Sequence, residues 1–203
     1  MKCDNILYKS KIEFIFNMKT EKRTLEDIKI LLGDCVKELN SKTACFTGHR
    51  SQKLPWKFNE EDDRYLAIKK TLRKEIEKAI QGGYTTFLCG MALGFDMLCA
   101  ETVLNLKKQY NHIKIIGALP CKNQDELWSP NEKNRYRQLL GKLDGIRCIY
   151  DKYIGNECMI ERNKYMVNNS SLMIALYNGC SGGTKATIEY AKKQKLQIVT
   201  IKP

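Results

Sequence analysis

The chain of 203 residues lacks the sequence features that mark membrane, secreted and zinc-binding proteins. No apolar run approaches the roughly 18–20 residues of a membrane helix, and Phe14-Ile15-Phe16 is too short for the core of a secretory signal. No Cys-x-x-Cys pair occurs among nine cysteines, which excludes the usual zinc and thioredoxin-like spacings. We expect a cytoplasmic protein whose cysteines are free thiols acting as small apolar residues.

The sequence is also poor in acidic residues: 35 Lys and Arg against 23 Asp and Glu give a formal net charge of +12. Such a charge favours the attraction of phosphates or nucleic acids. The lysines are nevertheless scattered over expected helix surfaces, with neither a basic tail nor the aromatic-interleaved basic stripe of single-strand binders. The composition predicts a lysine-rich solvated surface and leaves attraction of anionic ligands open.

Residues 1–42 differ from the rest and are interpreted as an N-terminal extension. Apolar residues recur at helical spacing from Thr24 to Leu39, and Thr24 with Asp27 forms an acidic variant of the capping box. The pattern predicts an amphipathic helix that docks on the main domain or on a partner subunit, so a homo-oligomer remains open.

Residues 43–203 alternate between apolar strands and amphipathic helices, which predicts one α/β domain with a mostly parallel sheet between two helical layers. We expect strands at 43–47, 85–89, 112–119, 146–150, 172–177 and 197–201. We expect helices at about 60–81, 95–109, 157–169 and 184–194, and one or two helices over 125–143. Pro120 is expected to end the third strand, and Thr184 to cap the last helix. Ligands in such sheets bind beyond the strand carboxyl ends.

Two segments that follow expected strands carry groups suited to an anion. Thr47-Gly48-His49-Arg50 combines a turn glycine with a hydroxyl, an imidazole and a guanidinium that can bind phosphate through two N–H groups. Gly90 and Gly94 would let backbone N–H groups converge at a helix N-terminus, although the spacing matches neither common phosphate-loop motif. Asp96 and Glu101 follow as candidate catalytic carboxylates, but five residues separate them, so they do not share one helix face closely.

Two further segments complete the candidate set. Arg162 and Asn163 lie early in the helix before the fifth strand, where a solvated arginine is the ordinary alternative. Gly182-Gly183-Thr184 joins the fifth strand to a helix and could form a second phosphate cradle, or simply a turn and a cap. No nucleophile, metal cluster or matched acid and base accompanies these segments, so we expect no metal and no cofactor.

Together the four segments resemble the YpsA-like family of unknown function, in the superfamily that joins Smf/DprA proteins with LOG proteins. The resemblance covers about residues 43–203, and Trp128 also suits the pattern. It implies a Rossmann-like fold and a nucleotide pocket built from the positions named above. The chain departs from the family at 168–171, where Asn-Asn-Ser-Ser stands in place of an expected acidic residue.

Three functions follow, in descending order of preference. The first is a binding module that senses a nucleotide-derived molecule such as ADP-ribose, NAD or a nucleoside phosphate without cleaving it. The second is an N-glycosidase of nucleoside phosphates, as the resemblance to LOG enzymes implies, with Asp96 or Glu101 acting at the glycosidic bond. The spacing from Gly182-Gly183-Thr184 to Glu189 differs from the LOG pattern, and this difference weakens the N-glycosidase hypothesis. The third is single-stranded nucleic-acid binding, as in DprA proteins.

Overall fold

The structure is a computed structural model that describes residues 25–50, 54, 56–57 and 59–203. Six strands and six helices alternate along these residues. The strands are β1 (Thr43–Gly48), β2 (Thr86–Cys89), β3 (Lys114–Cys121), β4 (Gly145–Tyr150), β5 (Leu172–Leu176) and β6 (Gln197–Ile201). The helices are α1 (Leu25–Ser41), α2 (Asp63–Gln81), α3 (Phe95–Leu106), α4 (Pro130–Leu140), α5 (Asn156–Asn168) and α6 (Gly183–Lys193).

All strand pairs are parallel, and the order across the sheet is β4-β3-β2-β1-β5-β6. The chain winds outward from β1 to β4, then returns to place β5 on the free side of β1. The winding direction therefore reverses between β1 and β5, which is where such sheets open a crevice for ligands. The expected Rossmann-like α/β sandwich is confirmed.

The strands bury both of their faces because successive side chains point to opposite sides of the sheet. In β1, Ala44 and Phe46 pack with α2, α3 and α4, whereas Cys45 faces the layer formed by α5 and α6. In β5, Ile174 faces the first layer and Met173 the second. The near-continuous apolar runs of the sequence are thus explained by two-sided burial.

Two local predictions were wrong. β3 does not end at Pro120 but runs to Cys121, which pairs with Tyr150 of β4. β2 pairs with β3 only as far as Gly117, so Pro120 lies where β3 has lost one neighbour and a missing N–H costs less. Thr184 does not cap the last helix either: α6 begins at Gly183, and Gly182 is its N-cap residue.

The predicted amphipathic helix is present as α1, while its proposed cap, Thr24, lies outside the described residues. Leu32, Cys35, Val36 and Leu39 are half-buried, so the domain covers the apolar stripe only in part. The Asn40 side-chain amide donates to the Asn168 carbonyl at 3.1 Å, which ties the end of α1 to the end of α5. The division at residue 42 stays a prediction.

The eight described cysteines are free thiols, and five of them are buried. Burial raises the pKa of Cys45 to about 12, which keeps its thiol neutral. These thiols act as small apolar side chains; Cys180, in the turn before α6, is exposed. Within the described part of the chain, no helix is both long and apolar enough to cross a bilayer.

Candidate functional site

The carboxyl ends of β1 and β5 lie side by side at the point where the winding reverses, since Gly48 pairs with Leu176. The next residues of each strand remain in contact. The backbone N–H of Asn178 donates to Nε2 of the buried His49 at 3.3 Å, and the His49 ring lies 6.0 Å from the Tyr177 ring, centroid to centroid. His49 therefore holds the start of the turn that leads from β5 into α6.

That turn, residues 177–182, is exposed from Asn178 onward. Gly179 and Gly182 have φ angles of 92° and 138°, conformations that favour glycine. Gly182, the N-cap residue of α6, has no side chain that could accept from the first backbone N–H groups of the helix, whereas Asp62 caps α2 and Ser129 caps α4. Gly94 and Gly155 hold the same position at α3 and α5. A Cβ placed on Gly183 would meet nothing within 4 Å. The turn thus presents a helix N-terminus to open space, an arrangement that attracts anions.

The turn after β2 also leads through glycines into a helix, but side chains of the chain itself bind its backbone groups. The Asp96 carboxylate, in the first turn of α3, accepts the Ala92 N–H at 3.2 Å. The Arg162 guanidinium donates to the Gly90 carbonyl and to the Ala118 carbonyl, the latter at 3.3 Å. A Cβ on Gly90 would lie 2.5 Å from Cζ of Arg162 and 2.6 Å from Oδ2 of Asp96. Gly90 therefore makes room for two internal side chains.

Asp96 and Arg162 form a buried pair, with 3.9 Å between Oδ2 and Nη1. Burial raises the pKa of Asp96 above its ordinary value, against the opposing effect of the Arg162 charge and the Ala92 N–H. Burial lowers the pKa of Arg162, and the negative charge of Asp96 opposes that shift. Asp96 and Arg162 thus form an ion pair inside the domain, with little access to solvent.

A chain of hydrogen bonds connects this pair to the open turn. Nε of Arg162 donates to Oδ1 of Asn163 at 2.9 Å, and Nδ2 of Asn163 donates to the Thr187 hydroxyl at 3.0 Å. That hydroxyl donates to the Gly183 carbonyl at 2.8 Å. Arg162 and Asn163 therefore link the filled turn after β2 to the first residue of α6.

Glu101 lies apart from both turns and faces α4. Its two carboxylate oxygens accept from Nε and Nη2 of Arg135 at 2.7 and 2.8 Å, and Arg135 also pairs with Glu60 at 2.8 Å. A cavity of about 160 Å³ lies beside this ion-pair group, with Gly94, Leu93 and Met97 among its lining residues. Asp96 and Glu101 therefore have different partners, as their spacing suggested.

Comparison with known proteins assigns the chain to a family. Residues 44–202 match the YspA SLOG family. The chain belongs to that family. A relative of this kind is the uncharacterised SPbeta prophage-derived protein YoqJ of Bacillus subtilis, which is 36% identical over 143 residues, 64% of this chain and 84% of that protein. A UPF0398 protein of Brevibacillus brevis is 32% identical over 122 residues, 60% of this chain and 65% of that protein.

Two solved structures share the fold at low sequence identity. DNA processing protein A of Helicobacter pylori, whose single-stranded DNA binding mode has been described, superposes with a TM-score of 0.55 at 17% identity. DNA processing protein A of Streptococcus pneumoniae gives 0.53 at 18% identity. The superpositions cover 81% and 80% of this chain, but only 66% and 50% of those chains. The likeness establishes a common fold.

The candidate residues fall into three places in the structure. His49, Arg50, Gly182, Gly183 and Thr184 lie at the carboxyl edge near β1 and β5. Gly90, Asp96 and Arg162 form the buried group, with Asn163 linking the two places. Glu101, with Gly94 beside the cavity, belongs to the third.

Thr47 and Gly48, from the Thr47-Gly48-His49-Arg50 segment, have packing roles in the fold. Thr47 is buried in β1 opposite Ala175 of β5. A Cβ on Gly48 would lie 2.6 Å from Cγ of Phe95, so this glycine admits the first side chain of α3. Arg50, by contrast, is exposed, and its one hydrogen-bond contact in the described chain is a long one, 3.9 Å to the sulfur of Met159.

Sequence reasoning missed Asn178 and Arg135 and left Thr187 outside the candidate set. Asn178 could have been found from Asn-Gly after a buried strand, a turn signal at the carboxyl edge. Arg135 gives no comparable signal, because its contact with Glu101 joins positions 34 residues apart. Among the described residues, no group of three or more His, Cys, Asp or Glu side chains is placed to hold a metal ion.

Proposed function

We propose that the chain binds a nucleotide or nucleotide-derived molecule, of the ADP-ribose, NAD or nucleoside phosphate class, and releases it intact. The observation that carries this proposal is the open turn between β5 and α6, which lies where the sheet reverses its winding. A phosphate there would accept hydrogen bonds from the backbone N–H groups at the N-terminus of α6. The Gly182-Gly183 pair would allow it to come close to the backbone.

Arg50 supplies a second contact for the same ligand. Its exposed guanidinium extends from the end of β1, the strand beside β5, and can form paired hydrogen bonds with phosphate oxygens. His49 would act indirectly, because it is buried and holds the backbone of Asn178 in place. Asn163 and Thr187 would likewise position Gly183.

The arrangement of carboxylates supports binding over cleavage. A glycosidase needs a carboxylate that reaches the scissile bond or activates water there. Both oxygens of Glu101 are held by Arg135, and Asp96 is buried against Arg162 and Ala92. Both carboxylates thus have internal partners, so the geometry favours the binding module over the N-glycosidase.

A thermal-shift screen tests the proposal, with AMP, ADP, NAD, ADP-ribose and cyclic dinucleotides as probes. A ligand at a hundred times its dissociation constant adds about 2.7 kcal/mol to the free energy of unfolding. For this chain length, that corresponds to a rise in Tm of roughly 5–10 °C. A panel without any shift would contradict the proposal.

Arg50→Ala provides the matched test of the site for whichever probe shifts the Tm. Loss of a charge-assisted contact should weaken binding about tenfold or more, as measured by isothermal titration calorimetry. Arg147→Ala, which removes an exposed arginine from β4, is the control and should bind like the wild type. Chromatography of the recovered probe separates the functions: an intact molecule supports sensing, and a cleaved one supports the N-glycosidase.

A further inference from the structure

The connections at the amino edge of the sheet, opposite the candidate ligand site, carry a net positive charge. The described helix-to-strand connections hold five lysines and one aspartate, namely Lys42, Lys107, Lys108, Lys142, Lys195 and Asp144. The described strand-to-helix connections hold four basic and six acidic residues, namely Arg50, Lys57, Lys122, Lys152, Glu60, Glu61, Asp62, Asp125, Glu126 and Asp151. Among these connections, acidic residues thus outnumber basic ones at the ligand edge, whereas lysines predominate at the amino edge.

The densest part of this charge surrounds the start of β3. Lys108 lies in the connection into β3, and Lys114 is the first residue of β3. Lys142 lies in the next helix-to-strand connection, before β4. Asp144 fixes the two connections together, because its carboxylate accepts the Ile115 N–H at 2.9 Å and pairs with Lys107. Lys108, Lys114 and Lys142 are exposed, and none of the three forms an ion pair with another described residue.

Two aromatic rings lie among these lysines. Tyr110 and His112 meet edge to face with 6.3 Å between ring centroids; His112 is exposed and Tyr110 is half-buried. The sequence predicts a helix to about residue 109 and a strand from residue 112, whereas α3 ends at Leu106 and β3 begins at Lys114. Both rings therefore lie in the connection between α3 and β3.

We propose that this basic patch, formed by Lys108, Tyr110, His112, Lys114 and Lys142, binds single-stranded nucleic acid. The three ammonium groups would neutralise phosphates, and the rings would stack on bases. Aromatic side chains contact base faces only where the bases are unpaired, which favours a single strand over a duplex. This binding is independent of the ligand proposed at the carboxyl edge.

The same edge continues toward β6, where Lys192, Lys193 and Lys195 are exposed at the end of α6. β3 and β6 are separated by four strand spacings, which is roughly 19 Å along the edge. A single strand of several nucleotides can span that distance and contact both groups of lysines.

Fluorescence anisotropy with a labelled oligothymidine of twenty nucleotides tests the proposal on the full chain. The affinity should fall steeply with salt as bound counterions are released. The triple variant Lys108→Ala/Lys114→Ala/Lys142→Ala should lower the slope of log K against log salt by about 2, since each phosphate contact contributes about 0.7. Lys69→Ala/Lys70→Ala/Lys74→Ala, on exposed positions of α2, changes the net charge equally and should preserve the slope.

A second pair of measurements separates nucleic acid from other polyanions. Tyr110→Leu/His112→Ala should weaken oligothymidine binding by about tenfold, in line with the usual effect of losing base stacking, and leave heparin binding unchanged. Absence of oligothymidine binding at low salt would overturn the proposal. So would equal losses in the two triple variants, or an equal effect of the aromatic variant on both polymers.

Discussion

The glycine turns after β2 and after β5, both at the carboxyl edge of the sheet, differ in what fills them. In the turn after β2, the Asp96 carboxylate takes a backbone N–H and the Arg162 guanidinium takes the Gly90 carbonyl. In the turn after β5, Gly182 and Gly183 are exposed, and a Cβ on Gly183 would meet no atom within 4 Å. A glycine pair between strand and helix therefore indicates a close approach to the backbone without specifying the approaching group.

In the filled turn, a carboxylate of the chain itself occupies the place at which an external anion would approach the backbone. Asp96 stands where a ligand anion would meet the loop N–H groups, and Arg162 stands beside it as a cation. The open turn has neither group, which is why we assign the ligand there. The following variants test this contrast.

The largest effect is expected for Arg162→Met. The substitution leaves the Asp96 carboxylate buried without its cation and the carbonyls of Gly90 and Ala118 without their donor. Breaking a buried pair in this way lowers the free energy of unfolding by about 3–5 kcal/mol, measurable by urea denaturation. Arg147→Met, at an exposed position, should change it by less than about 0.5 kcal/mol. Equal stability of the two variants would show that the filled turn does not depend on Arg162.

Gly90→Ala should have the next largest effect, because its Cβ would overlap with Arg162 and Asp96. We expect a loss of roughly 1–3 kcal/mol in the free energy of unfolding, as for other overpacked interiors. The same substitution introduced together with Arg162→Met should cost less than it does alone, since the guanidinium is absent. Additive losses would argue against direct steric conflict between these two positions.

The pH dependence of stability reports on Asp96. Because burial raises its pKa in the folded state, the folded chain binds this proton more tightly than the unfolded chain. The stability of the wild type relative to Asp96→Asn should therefore increase as pH falls from 7, through the raised folded pKa, toward the unfolded value of about 3.9. Urea denaturation of both proteins at pH 7 and pH 4.5 should reveal this increase; a change of opposite sign would contradict the assignment.

Gly183→Ala should have the smallest effect on stability, and of opposite sign to Gly90→Ala. The site has open space and is the first residue of α6, so alanine should stabilise the chain by about 0.4–1 kcal/mol. The new methyl group would nevertheless occupy the approach to the helix N-terminus and weaken ligand binding. Destabilisation as large as that of Gly90→Ala would remove the distinction between the two turns.

The alternating pattern was enough to predict the sheet and the places of its strands. The ends of the helices and strands were harder to predict. Pro120 can lie within β3 because β2 pairs with β3 only as far as Gly117, and the length of β2 cannot be deduced from the sequence of β3. Likewise, Thr184 was expected to cap α6 because threonine suits that position, whereas the chain places Gly182 there with a φ of 138°.

The candidate site was predicted as a set of positions and not as an arrangement. Arg162 could be named, but its role could not, because its contact with Gly90 joins residues 72 positions apart. Gly48 was predicted as a turn glycine beside the ligand, and the structure adds a packing requirement that the sequence did not reveal, because Phe95 leaves no room for a Cβ there. Spacing along the chain shows which residues lie beyond the strand ends, and only packing decides which of them remain open to a ligand.

The central claim is that the turn after β5 holds the anionic part of the ligand. The most direct measurement compares the Tm of the wild type, Gly183→Ala and Gly33→Ala with and without ADP-ribose at saturating concentration. Gly33 lies in α1, and an added Cβ there also meets open space, so it is the matched control. The account predicts a rise of roughly 5–10 °C for the wild type and Gly33→Ala, and little or none for Gly183→Ala. Equal rises in all three proteins would contradict it.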